Sequence, residues 1–130
     1  MMLRAYSKTK DGNLKLSSNF KVKEFACKDG NDTVFIESEL INVLQDVRAH
    51  FNKPITINSG YRTDKYNNKI GGAKYSQHKY GNAADIKVSG FSPSDVYNYL
   101  DTKYPNSYGI GLYRNFVHID VRPNKSRWNG

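Results

Sequence analysis

A single cysteine, Cys27, stands in the 130-residue chain, so neither an intramolecular disulfide nor a cysteine-based zinc finger can form. Following Phe25 and Ala26, it reads as a small buried hydrophobe rather than a nucleophile. No apolar stretch is long enough to span a membrane, and Met1 to Leu16 lacks the apolar run of a signal peptide. Neither membrane insertion nor a leader is therefore expected. Acidic residues are in short supply, 12 Asp and Glu against 20 Lys and Arg, for a formal net charge of +8. That excess suits an anionic partner: nucleic acid, a membrane surface or an acidic wall polymer. The basic residues are scattered singly and form no like-charge run, so a specific nucleic-acid arm is not expected. Internal repeats, linkers and low-complexity segments are missing as well. The length fits one domain over residues 1–130, expected as a monomer, with 1–18 as an irregular N-terminal arm.

What is present alternates between helical and strand patterns. Ile36, Leu40, Val43, Leu44, Val47 and Phe51 recur at helical steps and predict an amphipathic helix from Ile36 to Phe51, ended before Pro54. Its other face, with Glu37, Glu39, Asp46 and Arg48, is expected as solvated surface. Pro54-Ile55-Thr56-Ile57-Asn58 predicts a strand, and Tyr61-Arg62 follows the Ser59-Gly60 break. A short helix is expected over Asp64 to Ile70 and a strand over Ala83 to Val88. Ser92-Pro93-Ser94-Asp95 carries the signature of a capping box opening a second long helix. Gly109 to Tyr113 and Phe116 to Val121 read as a hairpin. The fold class is α+β, a small antiparallel sheet with helices packed on one face.

Side chains alternate along a strand, which sorts the candidates for chemistry. In the last strand Val117, Ile119 and Val121 face one way, and His118, Asp120 and Arg122 face the other. In the Ala83 to Val88 strand, Ala84, Ile86 and Val88 take the core face and Asp85 points away with Lys87. If the two strands lie close in one sheet, Asp85 and His118 come within coordination reach, and His78 can arrive from the preceding loop across Gly81. Two histidines and a carboxylate are the set that leaves a tetrahedral zinc ion one open position. Spacing alone is equally consistent with three unconnected polar residues. The remaining histidine, His50, lies at the end of the first helix, where it suits the helix dipole better than a metal.

Ser76-x-His78-x-x-Gly81-x-Ala83-x-Asp85, with Ser59-Gly60-Tyr61-Arg62 before it and Phe116-Val117-His118-Ile119-Asp120 after it, resembles the M15 family of zinc peptidases. The likeness runs from about Phe20 to Trp128 and lies in the compact branch common among phage endolysins, tail enzymes and prophage wall hydrolases. It implies the hedgehog-type, DD-peptidase-like fold and a zinc ion (Zn2+) bound by His78, Asp85 and His118. It further implies that Arg62 holds a substrate carboxylate or polarises the scissile carbonyl, and that Ser76 contacts substrate or shapes its loop. Tyr113 is a further expected substrate contact. The implied substrate is the stem or cross-bridge peptide of bacterial peptidoglycan, and the implied place of action is the bacterial wall. One departure stands out. Many relatives carry Glu or Asp as general base three residues before the last histidine, where this chain has Asn115. Asp120 then becomes the candidate base, with orientation of a ligand as its alternative role. The alternative function is a domain of the same fold that binds zinc or wall without turnover, as a phage structural module would.

Overall fold

The computed structural model describes residues 2–130. The expected arm over 1–18 is not irregular there. Leu3–Ser7 forms strand β1, Lys8–Asp11 a single helical turn α1, and Lys15–Ser17 strand β2. β1 pairs antiparallel with β4 (Thr33–Glu37), from Leu3 opposite Glu37 to Ser7 opposite Thr33. β2 pairs with the short β3 (Phe20–Lys21), which leads into a 3-10 turn at Val22–Phe25. The ribbon is latched by Asp32, which accepts from Ser7 Oγ at 2.7 Å and from the Thr9 amide at 2.8 Å. β1 shows no apolar alternation, because its residues are exposed or half-buried and its backbone ladder, not a core face, holds it.

β4 runs straight into helix α2 (Ser38–Phe51), with Glu37 as the N-cap residue. Ile36, whose spacing to Leu40 mimics a helical step, therefore belongs to the strand. α2 buries Leu40, Ile41, Val43, Leu44 and Val47 and ends at Asn52 in a left-handed conformation, whose amide closes on the Arg48 carbonyl at 3.0 Å. After β5 (Ile55–Ser59), α3 (Asp64–Lys69), a 3-10 turn at Gln77–Tyr80 and β6 (Ala83–Val88) comes α4 (Pro93–Lys103). The predicted capping box is formed: Ser92 Oγ accepts from the Asp95 amide and Asp95 Oδ2 from the Ser92 amide.

β7 (Gly109–Leu112) and β8 (Val117–Asp120) make the expected hairpin, and β9 (Ser126–Asn129) adds a strand that no local sequence pattern signals. The resulting five-stranded sheet has the order β5-β6-β8-β7-β9, antiparallel except for the parallel pairing of β9 with β7. Ala84, Ile86 and Val88 of β6, Ile110 of β7 and Val117 and Ile119 of β8 turn to the core, where α2 and α4 cover them with Leu40, Leu44, Val96 and Leu100. Cys27 is buried beside this core, as expected.

The acidic face of α2 is not solvated surface. Glu37 is buried, Asp46 accepts from Tyr99 Oη at 2.8 Å and Tyr104 Oη at 3.3 Å, and Glu39 accepts from Tyr108 Oη at 2.8 Å. Tyrosines bury their rings against apolar neighbours while their hydroxyls still need partners, and the α2 carboxylates supply them. Burial, joined by the bond to Asp46, pushes the Tyr99 hydroxyl up to about 12, and burial with Glu39 does the same for Tyr108.

Candidate metal centre

Register on the sheet brings the site together. One transverse row crosses all five strands: Ser59 lies opposite Asp85, Asp85 opposite His118, His118 opposite Gly111 and Gly111 beside Trp128. All but Gly111 project side chains away from the helices, so β6 and β8 set a carboxylate beside an imidazole on the face the apolar residues leave free. His78 comes from the 3-10 turn before β6. Ser76 caps that turn by accepting from the His78 amide at 3.3 Å, and Gly81 ends it with φ of +74°, a conformation open to glycine without strain. Ser76 thus shapes the loop as well as lining the cavity above it.

His78, Asp85 and His118 are all buried, and one donor atom from each lies within 4.8 Å of the others. Asp85 Oδ1 is 3.1 Å from His78 Nε2 and 3.0 Å from His118 Nδ1. The outer nitrogen of each ring is engaged too. His78 Nδ1 meets the Gly60 carbonyl at 2.7 Å, and His118 Nε2 meets Asp120 Oδ2 at 2.7 Å. A carbonyl and a carboxylate only accept, so the ring proton of His78 sits on Nδ1 and that of His118 on Nε2. The nitrogens left bare are the two that face Asp85. Three lone-pair donors at this separation repel one another unless a cation stands among them, either a second proton on each ring or one metal ion. Two imidazoles with fixed tautomers and one carboxylate fit a divalent ion of the zinc type.

The electrostatics agree. Where a second proton on each ring takes the place of the metal, burial opposes a charge on Asp85, but the hydrogen bonds that His118 and His78 then donate outweigh it and hold the carboxyl well below the ordinary carboxylate range. Burial likewise disfavours imidazolium at His118, yet the bonds to Asp120 and Asp85 prevail and push it up.

Arg62 follows β5 and leans over the cluster. Its Nε donates to Ser59 Oγ at 3.1 Å, Nη1 to Asn67 Oδ1 at 3.2 Å and Nη2 to Asp85 Oδ2 at 3.4 Å. Asn67 on α3 is fully buried and also donates to the Ala73 carbonyl at 2.8 Å, tying Arg62 to the loop that rims the site. Asp120, the candidate base, has no exposed surface. Its Oδ1 accepts from the Arg122 amide at 3.1 Å and from Arg122 Nε at 2.8 Å, while Oδ2 accepts from Arg122 Nη2 at 2.7 Å as well as from His118. Arg122 and His118 together override burial and keep its carboxyl well below the usual range. It touches His118 on the nitrogen remote from Asp85. Asn115 is exposed in the β7–β8 turn and lines a separate groove with Arg114 and Lys87.

The cluster forms the floor of an open cavity of about 700 Å³ whose lining includes Arg62, Tyr75, Ser76, Tyr113, Arg122 and Trp128. Tyr113 stacks on Phe116 with ring centroids 4.5 Å apart and accepts a hydrogen bond from Trp128 Nε1 at 3.0 Å. His50 lies apart, stacked on Tyr99 at 3.8 Å. Asn67 and Trp128 went unmarked in the sequence. Asn67 is one polar residue in a polar helix, and Trp128, although the sole tryptophan, lies in a strand with no apolar alternation.

Fold and site define a class that comparison with known proteins identifies. The Peptidase M15 family matches residues 18–120, and the chain belongs to that family. Over 44 residues, 33% of this chain and 17% of the other, it is 51% identical to the zinc D-Ala-D-Ala carboxypeptidase of Streptomyces albus G. Over 78 residues, 55% of this chain and 42% of the other, it is 36% identical to the peptidoglycan L,D-endopeptidase MepK of Shigella flexneri. The matched segments span less than half of either relative's length. Among the described residues no helix is long and apolar enough to cross a membrane.

Proposed function

We propose that this chain is a zinc-dependent peptidase that hydrolyses peptide bonds in the stem or cross-bridge peptides of bacterial peptidoglycan, acting as a carboxypeptidase or endopeptidase. The observation that carries this reading is the buried His78, Asp85, His118 cluster on the floor of an open cavity, in a chain of the M15 family. His78 Nε2, Asp85 Oδ1 and His118 Nδ1 would hold the ion. A bound zinc ion supplies Lewis acidity, toward a carbonyl oxygen and toward water. The names of both relatives support the substrate class, while a phage-borne origin rests on the resemblance of the motifs alone.

The chain's own residues bind, orient and shield. Arg62, fixed through all three guanidinium nitrogens, offers its remaining N–H groups to the oxygen on which negative charge grows as the carbonyl is attacked. Tyr113 accepts from the donor-only indole of Trp128, so its own hydroxyl proton is free to donate to a substrate oxygen. Asp120 acts as a positioning residue rather than as the base. Its burial, four hydrogen bonds and contact with the outer nitrogen of His118 support this role, because they keep the His118 proton on Nε2 and Nδ1 bare. Asn115 lies off the cavity and cannot take a proton, so proton transfer falls to solvent in the cavity or to the substrate's own groups.

The test is metal analysis of the purified protein together with mass analysis of peptidoglycan fragments after digestion by wild type, chelated protein and His118→Ala. One zinc per chain and peptide-bond cleavage that disappears in the latter two are expected. Full cleavage under strong chelation overturns the reading, and bound zinc without any cleavage points to a wall-binding module.

A further inference from the structure

We propose that Arg122, braced by Asp120 and by the β9 residue Trp128, is the group that recognises a carboxylate of the substrate, a task separate from that of Arg62. This rests on the peptidase reading and specifies its substrate as a peptide bearing a free carboxylate beside the bond that lies over the cluster.

The argument begins with how each guanidinium is used. Arg62 has every nitrogen committed within the protein, and one of its contacts is to a metal-ligand carboxylate. Arg122 is committed on one edge only. Nε and Nη2 close on the two oxygens of Asp120 at 2.8 and 2.7 Å. Nη1 has no partner among the described residues, and the Nη1–Nη2 edge carries two parallel N–H groups. That planar fork matches the two oxygens of a carboxylate. The residue lines the same cavity as the donor cluster, with its side chain 31% exposed. It shares Asp120 Oδ2 with His118, which sets the guanidinium one hydrogen-bonded layer from the candidate metal ligand.

The edge is also held still. Arg122 Cζ lies 5.3 Å from the centroid of the Trp128 ring, a cation–π contact from behind, and the indole is pinned in turn by Tyr113 Oη. Room for both side chains comes from β7. A Cβ at Gly109 would collide with Asp120 and Arg122, and one at Gly111 with the Trp128 indole. β7 is thus cleared of side chains where the wall built by Arg122 and Trp128 lies over it. Charge completes the case. The ionic residues lining the cavity outside the two histidines are Arg62, Lys74, Arg122 and Asp85, and Asp85 is spent on the ligand cluster. An anionic substrate enters an electropositive cavity and meets one arginine edge already shaped for it.

Trp128 is the sole tryptophan, so its fluorescence reports binding without any turnover. Zinc-free protein is titrated with a disaccharide tetrapeptide isolated from peptidoglycan and with the same compound after its carboxyls are converted to amides. A preference of about tenfold or more for the carboxylate form is expected, as a charge-assisted bidentate contact gives. Arg122→Gln brings the preference to within about twofold, and Arg122→Lys, which keeps the charge but not the fork, lies between. A purely structural Arg122 would weaken both forms alike and leave their ratio unchanged, and that result, or equal binding of both forms by wild type, overturns the proposal. The parallel cleavage assay separates the two readings. Carboxylate preference without cleavage sinks the peptidase and spares the Arg122 assignment, and cleavage without carboxylate preference does the reverse.

Discussion

Ile86 and Ile119 on one face of β6 and β8, and Asp85 and His118 on the other, are neighbours along the same backbone yet answer to different forces. The first pair is buried by α2 and α4 and contributes through area removed from water and close packing. The second is buried under a cavity and contributes nothing of that kind. It is a set of mutually repelling donors whose arrangement costs stability until a cation joins them. Alternation lets one pair of strands carry both, so changes on the apolar face should cost fold and spare the metal, while changes on the polar face cost the metal first.

The largest effect expected is from His118→Ala. It removes one donor of three, and zinc retention and peptidoglycan cleavage both disappear, while the metal-free protein melts lower as well, because buried Asp85 and Asp120 each lose a partner. Metal analysis and a thermal melt of the same sample check this, and zinc retained by the folded fraction would erase the contrast between the faces. One residue along, Ile119→Ala is expected to cost about 2–5 kcal/mol of stability by leaving a cavity in the core. Zinc binding by the molecules that remain folded should be unchanged. Asp120→Asn sharpens the comparison inside the polar face. The amide presents a donor as well as an acceptor to His118 Nε2, so zinc affinity is expected to fall about 10–100-fold. A base would instead show unchanged zinc affinity and a large drop in kcat.

Gly111→Ala is expected to cost about 1–3 kcal/mol, as overpacking does, since the new methyl displaces the Trp128 ring. A shifted tryptophan emission spectrum with zinc binding intact is the result to look for. The smallest effect lies on the helix side. The Tyr99 hydroxyl is pushed up to about 12 from an ordinary value of 10.0, so its folded value exceeds its unfolded one. Its contribution is therefore complete below pH 10 and disappears as pH rises through about 12. Tyr99→Phe should lose about 0.5–1.5 kcal/mol at neutral pH and show a shallower decline in alkali, read from melts across that range.

The polar face was legible from sequence to the extent that it obeys period two. Asp85 and His118 were placed on one side of their strands by the apolar residues between them, and the register then set them directly opposite. Parity also put Arg122 on the side of His118 and Asp120, though nothing in its position gave it a task. Helix α4 was announced by Ser92, Pro93 and Asp95, because capping is local chemistry. The elements that escaped are those held by distant partners. β1 depends on the ladder to β4, and β9 on a parallel pairing to β7 that no local pattern encodes. The end of β4, Ile36 and Glu37, reads as the first turn of the helix because Ile36 and Leu40 fall at a spacing both structures tolerate. Glu39 and Asp46 looked solvated because their partners, Tyr108, Tyr99 and Tyr104, lie far along the chain. Asp120 shows the limit most sharply. Sequence supplied a carboxylate on the right face, and its enclosure by Arg122 and His118, on which the proposed bracing role rests, is visible only in the fold.

The bare stretch of β7 has a consequence for redesign. Since Gly109 and Gly111 contribute no side chains, what stands over that strand is borrowed from Arg122 and from the edge segment Ser126–Asn129. The ligand strands β8 and β6 lie two and three places in from that edge. On the proposed assignment the fork of Arg122 stays tied to the candidate ligand His118 through Asp120, whereas the edge segment supplies only the Trp128 backing and no candidate ligand, so it is the stretch in which that wall can be exchanged with the cluster left alone.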